Sequence, residues 1–352
     1  MFQNLSYMIV SFCFTLLFLN VLEVLAQRIG LVDTPNARKL HTSPTPLVGG
    51  LSIFLTMVIM DDQFAIWNKD HQALMSTMTG VMLIGLADDF LGVKARTKLL
   101  TQCLAAFYVV LLGGMKVTYL GDLLGTGNIL LPASIQPLFT VIALVGTINA
   151  INMIDGKDGL AAGIALMSSI GFVWLSILTS DTYHLQTSLI FISAILAFLL
   201  LNFRFNPDKP ARVFLGDAGC MMIAFFLTTL SINLSQEVRT TVHPITCVWV
   251  IALPLMDMAR VMVMRLFESK SPMAAGRDHL HHLLLDIGYP LRSAVLMMIA
   301  LQAVFVGIAL LAAYLHTPDY VLFYGFVVTL VGYCLMVTRL QRITIKKSQV
   351  SY

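Results

Sequence analysis

The sequence predicts an all-α fold: a polytopic membrane helix bundle of about eleven transmembrane helices, formed as one integral-membrane domain over residues 1–352. Three observations lead there. The chain is 58% hydrophobic and 12% charged, with a mean hydropathy of +0.84. A soluble domain carries roughly 45 to 50% apolar and 25% charged residues. The apolar residues fall in runs close to the roughly 20 residues that cross a bilayer core as a helix. The basic residues are dense in every second segment between runs and sparse in the others, as expected where positive charge stays on the inner side.

Taken in order, the expected spans are 5–27, 47–64, 72–87, 99–115, 136–153, 159–179, 186–202, 217–235, 243–264, 293–314 and 319–338. The third and fourth are short and need tilt, or polar end residues reaching the interface. Spans of this number use about 220 residues, which leaves short loops and no room for a soluble domain. The net charge of +3 says little about partners, and no basic face or known module points to a nucleic-acid partner. Cys13, Cys103, Cys220, Cys247 and Cys334 lie far apart in apolar runs and read as packing residues, with no metal or redox spacing. The first run follows no basic n-region and is expected to be retained, with the N-terminus periplasmic and the C-terminus cytoplasmic.

Charge supports that orientation. Of the 22 Lys and Arg residues, only Lys69, Lys116 and Arg239 fall in outer segments; the other nineteen fall inside. The long outer stretch from Lys116 to Pro132, with Gly121, Gly125, Gly127 and Asn128, reads as a small hairpin or turn. The inner stretch PTPLVGG, with Pro44, Pro46, Gly49 and Gly50, reads as a rigid turn into the second span. No internal repeat is evident, whereas a transporter built from inverted repeats would show one, with polar breaks at mid-membrane.

The reactive residues collect on the inner side. NAINMIDGKDGLAAG, Asn149 to Gly163, sits between two apolar runs yet holds two asparagines, two aspartates and a lysine. Ionisable groups at a membrane segment cost roughly 2.5 to 3.5 kcal/mol each at a helix centre and mark functional sites by default. A polar loop is the plain alternative. Asn152, Asp155 and Asp158 are spaced by three, which directs them to one side of a helical or turn-like backbone. Asp155 is then a candidate metal ligand or catalytic group, and Asp158 an acceptor for a base edge. Asp88 and Asp89 form an adjacent pair at the inner end of the third span, either a solvated helix end or a site for a hard divalent cation. Asp217 adds a carboxylate, and Phe214, three residues before it, is either a stacking face or core. Arg265, Arg277, His279, His281 and His282 lie in the longest inner loop. Their spacing fits no zinc motif such as HExxH and suits a loop that binds phosphate, or a solvated loop. Carboxylates, a cation and basic loops on one membrane face are what phosphoryl transfer between two anions requires.

The ordered set PLVGG (46–50), DD (88–89), NAINMIDGKDG (149–159), VFLGDAG (213–219), PLMDM (254–258) and RDHLHH (277–282) resembles the polyprenyl-phosphate N-acetylhexosamine-1-phosphate transferases. The resemblance covers most of the chain and is to the branch that uses UDP-GlcNAc. RDHLHH in place of three consecutive histidines, and a last span at 319–338, separate it from the branch that takes a UDP-MurNAc-pentapeptide. It implies transfer of GlcNAc-1-phosphate to undecaprenyl phosphate with release of UMP and dependence on Mg²⁺ or Mn²⁺. That reaction would be the first lipid-linked step of a cell-surface glycan such as O antigen or enterobacterial common antigen, on the cytoplasmic face of the bacterial inner membrane. The partners it implies are UDP-GlcNAc, undecaprenyl phosphate and membrane lipid, and a homodimer is compatible with it. It implies catalytic roles for Asp88, Asp89 and Asp155 and a metal site at Asp217, Asp155 and Asp89. Substrate contacts are implied at Asn152, Asp158, Phe214, Arg265, Arg277, His279, His281 and His282. The chain departs from the family pattern at Gly92, where a polar residue often follows the acidic pair. A lipid or sugar transporter and an enzyme that transfers a prenyl diphosphate are the rival classes.

Overall fold

The computed structural model describes residues 2–34, 44–61, 69–206, 209–236, 242–271, 276 and 278–350; side chains are described for these except 61, 69–73 and 343–350. Thirteen helices follow in order: α1 (Phe2–Ile29), α2 (Gly49–Asp61), α3 (Lys69–Leu91), α4 (Ala95–Leu112), α5 (Gln136–Ile154), α6 (Leu160–Leu178), α7 (Thr182–Asn202), α8 (Gly216–Gln236), α9 (Pro244–Val250), α10 (Ala252–Phe267), α11 (Leu280–Ile287), α12 (Leu291–Tyr314) and α13 (Asp319–Val350). A two-stranded antiparallel pair, β1 (Val32–Asp33) with β2 (Thr45–Pro46), lies between α1 and α2 in the chain.

Among the described residues, nine helices are long and apolar enough to cross a membrane, and a tenth crossing results if α9 and α10 count as one. The protein is a multi-pass membrane protein. Each of the eleven expected runs contains helix, and one departs from a straight crossing. The run at 47–64 yields α2, of which 13 residues, about 20 Å of helix, are described. Its last residues lie outside the described ones. The run at 243–264 is broken at Ile251, and α10 leaves α9 at 84°. α4 begins at Ala95, four residues before the expected span, so that Lys98 stands on a helix rather than in a loop. The loop expected over 265–292 contains α11, whose apolar run is too short to announce a helix by periodicity.

α8 is the axis. It is buried around its whole circumference by α2, α3, α5, α6 and α9. With no hydrophobic drive between helices in lipid, close approach depends on small residues. A Cβ on Gly50 of α2 would stand 2.1 Å from the Gly219 Cα, and one on Gly85 of α3 would stand 2.2 Å from the Ala218 Cα. The backbones touch at these points. At the same level Gly49 N–H and Gly50 N–H donate to Phe214 and Leu215 carbonyls, both at 2.9 Å, and Phe214 N–H donates to the Pro46 carbonyl at 2.8 Å. The expected rigid turn is therefore half of a short backbone ladder that holds PLVGG against VFLGDAG.

On the other side of the bundle, the stretch after Lys116 is a small hairpin closed by a Tyr119–Leu130 bridge, as its glycines predict. Gln236 at the end of α8 and Asp319 at the start of α13 pin it by accepting backbone N–H groups of Thr118 and Asp122.

Candidate active site

Successive helices run antiparallel, so the C-terminal ends of α3, α5 and α7 meet the N-terminal ends of α4, α6 and α8 at one end of the bundle. A cleft of about 790 Å³ opens there. It is lined by Asp88, Asp89, Lys98, Asn152, Asp155, Lys157, Asp158, Arg204, Phe214, Asp217 and His282, with Asp33, Leu47 and Leu291 among its other walls. Groups separated by nearly 200 positions thus face one space.

The acidic pair divides its work. α3 ends at Gly92, whose φ of +63° reverses the chain so that Val93 N–H meets Asp88 Oδ1 at 2.8 Å. A residue with a Cβ adopts that φ only with strain, which explains glycine where the family often has a polar residue. Asp88 Oδ2 accepts from the Lys98 ammonium at 2.7 Å. Asp89 turns the other way and takes the first amides of α8: Asp217 N–H at 2.8 Å on Oδ1 and Ala218 N–H at 3.2 Å on Oδ2. A carboxylate at a helix N-terminus satisfies orphan donors and favours the positive end of the dipole. Gly216, with φ of +77°, permits this because a Cβ there would stand 2.6 Å from Asp89 Oδ2.

Lys98 also donates to Asp217 Oδ1 at 2.7 Å, and so joins two carboxylates from different helices. Asn152 completes the group: with its amide oriented to satisfy both neighbours, it donates to Asp217 Oδ1 at 2.7 Å and accepts from Lys98 at 3.0 Å. The Asp217 side chain is 38% exposed against 9% for Asp88. Asp217 is therefore the carboxylate open to the cleft.

The central motif forms the next wall. Asp155 follows the last turn of α5, and Cys220 of α8 donates its thiol to Oδ2. Burial raises the Asp155 pKa to about 7; the Cys220 hydrogen bond opposes this, and the charges of Asp217 and Asp158 add to it. Asp158 pairs with Arg204 Nε, so its carboxylate lies beside a cation within the cleft. Asn202 fixes the turn by accepting Gly159 N–H at 2.6 Å and donating to the Val213 carbonyl at 2.8 Å.

The histidine loop is built from behind. Asp257 of α10 accepts His279 Nδ1 at 2.7 Å, Leu280 N–H at 3.2 Å and the Tyr333 hydroxyl at 2.7 Å. Arg260 donates to the Asp278 carbonyl at 2.6 Å, and Arg265 pairs with the Asp278 carboxylate at 3.1 Å. His279 and Arg265 are thus buried anchors of the loop, outside the cleft lining. His281 is buried against Gly156, where a Cβ would stand 2.5 Å from Nε2. Among the described residues neither of its ring nitrogens has a hydrogen-bond partner. Burial, then the neighbouring His282, holds its pKa well below the usual imidazole value. His282, 4.2 Å from His281 between ring centres, reaches the cleft. Arg277 lies outside the described residues.

Of the residues expected from sequence, Asp88, Asp89, Asn152, Asp155, Asp158, Phe214, Asp217 and His282 come together around one space. Sequence reasoning missed Lys98 and Arg204, which were read only as inner-side positive charge, and Cys220, whose partner is remote; Lys157 and Asp257 stood inside quoted motifs with no role given to them. A lysine nine residues beyond the acidic pair and a cysteine directly after VFLGDAG were the available signals. Among the described residues no group of three or more His, Cys, Asp or Glu is placed to hold a metal ion. The oxygens of Asp88, Asp217 and Asn152 are instead gathered about the Lys98 ammonium. Mg²⁺ takes one or two protein carboxylates and completes its shell with water and substrate phosphate. An oxygen-only donor set beside an open cleft suits such an ion.

A helix bundle whose acidic and basic side chains face one cleft at the membrane boundary defines a membrane transferase of phosphate-linked groups. The chain belongs to glycosyl transferase family 4, whose model matches residues 71–235. Three relatives span nearly the whole chain, and each is called undecaprenyl-phosphate alpha-N-acetylglucosaminyl 1-phosphate transferase. The Escherichia coli K12 protein is 33% identical over 92% of this chain and 89% of its own length. The Salmonella typhimurium LT2 protein is 32% identical over 94% and 90%, and the Pasteurella multocida Pm70 protein 33% over 96% and 94%. The sequence resemblance to sugar-1-phosphate transferases therefore holds, and the chain is a glycosyl-1-phosphate transferase.

Proposed function

We propose that this protein transfers GlcNAc-1-phosphate from UDP-GlcNAc to undecaprenyl phosphate and releases UMP, on the cytoplasmic face of the bacterial inner membrane. The observation that carries the reading is the shared cleft, in which Asp88, Asp89, Asp155 and Asp217 face Lys98, Lys157 and Arg204 at one membrane end. In the topology expected from sequence, nineteen of 22 basic residues fall on that side, which supports its assignment to the cytoplasm.

A phosphate monoester has a second pKa near 6, so the lipid phosphate is largely a dianion at neutral pH and needs no strong base. One of its oxygens attacks the sugar-bearing phosphorus in line, the bond to the uridine phosphate breaks, and UMP leaves with the electron pair. Repulsion between the two anions is the larger obstacle. Lys98, Lys157 and Arg204 offset it from within the cleft, and His282 lies at its wall. The buried, neutral His281 seats the loop on Gly156. Asn152 and Asp88 hold the Lys98 ammonium in place, Asp158 is the candidate reader of the uracil edge, and Phe214 offers a ring for stacking. Asp217, the carboxylate open to the cleft, would hold Mg²⁺ or Mn²⁺ with Asp155 or Asp89 as a second carboxylate, and water and substrate phosphate would complete the shell. When bound, the ion supplies charge neutralisation for the diphosphate and the leaving group.

Purified protein given UDP-GlcNAc and undecaprenyl phosphate is expected to release UMP and form the lipid-linked sugar diphosphate. Transport without UMP, release of pyrophosphate from a prenyl diphosphate, or preference for UDP-MurNAc-pentapeptide would each replace the reading with a named rival.

A further inference from the structure

We propose that Gln302 is a positioning residue for the sugar-nucleotide loop, acting through the break between α9 and α10. Gln302 lies in the apolar middle of α12, fully buried, far in sequence from every motif of the site. A primary amide in such a place is costly unless each of its groups is used. Two of its three hydrogen bonds reach the backbone on either side of the break, and the third reaches α6. Its Nε2 donates to the Val250 carbonyl at 2.6 Å and to Ser168 Oγ at 3.0 Å, and its Oε1 accepts Leu253 N–H at 3.1 Å.

An 84° bend frees backbone groups that a continuous helix would pair internally. In a membrane such a bend persists only where neighbours pair those groups again. Gln302 supplies one donor to the last turn of α9 and one acceptor to the first turn of α10. It thereby fixes the direction in which α10 leaves. That direction matters because α10 carries Asp257, Arg260 and Arg265, and these hold Asp278, His279 and Leu280. The loop then sets His281 against Gly156 and His282 at the cleft wall. The mechanical line runs from Gln302 through the break and α10 to the histidines. Asp88, Asp89, Lys98 and Asp217 belong to other helices, α3, α4 and α8.

The kinetic arm rests on the transferase reading above; the exchange arm does not. Gln302→Met keeps the volume and removes both backbone bonds. In the full-length protein it is expected to raise KM for UDP-GlcNAc roughly tenfold, the factor equivalent to about one buried hydrogen bond. KM for undecaprenyl phosphate should stay unchanged. Hydrogen exchange should speed up over 278–287 while α1 and α7 keep wild-type protection. Gln302→Glu, which keeps the acceptor for Leu253, should fall between. Ser168→Ala, which leaves both backbone bonds, should match the wild type within about twofold. Unchanged exchange over 278–287, faster exchange spread equally over α1 and α7, or a matched rise in both KM values would overturn the proposal. Absence of UMP release from the wild type would instead remove the transferase reading and leave the exchange result to decide the role of Gln302.

Discussion

The Lys98 ammonium donates to Asp217 Oδ1 at 2.7 Å across 119 positions of chain, and the same nitrogen meets Asp88 Oδ2 at 2.7 Å. This one cation allows the carboxylates of α3 and α8 to stand together at a membrane boundary. Lys98→Met is therefore expected to lower kcat by on the order of 10² to 10³, the range seen when one transition-state donor is removed. Lys98→Arg, which keeps charge but not shape, should recover part of the rate. Wild-type UMP release from Lys98→Met in membranes of equal protein content would take Lys98 out of the site.

Asp217 is the carboxylate open to the cleft, which makes it the candidate of choice for a hard cation. Activity should vanish with a chelator and return with Mg²⁺ or Mn²⁺. Asp217→Asn should lose far more turnover than folded yield, since Asp89 still caps α8 through the backbone amide of position 217. Ordinary turnover by that variant at ordinary Mg²⁺ would exclude the assignment.

Asp155 should give the metal-free protein a characteristic pH response. Its pKa is raised by burial to about 7 from an ordinary 3.8, so the folded chain keeps a proton that the unfolded chain releases between those values. Linkage then makes its contribution fully favourable below the lower value and lost as pH rises through the upper one. Thermal midpoints measured in chelator should fall from about pH 5.5 to about pH 8, and Asp155→Asn should reduce the fall. Equal slopes for the two proteins would refute the shift.

Gly50 is expected to tolerate nothing larger than hydrogen. An added methyl would have to displace the Gly219 backbone rather than a flexible side chain. Gly50→Ala should cost about 1 to 3 kcal/mol and lower the thermal midpoint in detergent. An unaltered midpoint would show that α2 can withdraw from α8 without loss.

Orientation can be read by labelling single cysteines in intact, outer-membrane-permeabilised cells with an impermeant reagent. Substitutions at Lys94, Arg212 and His282 should be protected, and one at Lys116 should react. Reaction at both 94 and 116 would break the topology on which the cytoplasmic assignment depends.

The sequence by itself determined the class of fold and named most of the acidic residues that line the cleft. Bilayer thickness dictates the length of an apolar run, and the cost of charge in hydrocarbon leaves Asp88, Asp89, Asn152, Asp155 and Asp217 conspicuous wherever they sit. Both signals are local and survive in one dimension. Only the tertiary structure decided which charges meet. Lys98 looks like any inner-side lysine until α4 starts at Ala95 and turns it between two carboxylates. Arg265 and His279 look like ligands of substrate until Asp278 and Asp257 are seen to hold them behind the loop. The break at Ile251 was equally invisible, because hydropathy counts apolar residues without knowing where a backbone stops pairing with itself. Gln302 bonds the backbone on both sides of that break, and Phe214 and Leu215 take the first amides of α2, through hydrogen bonds between segments that only folding brings together.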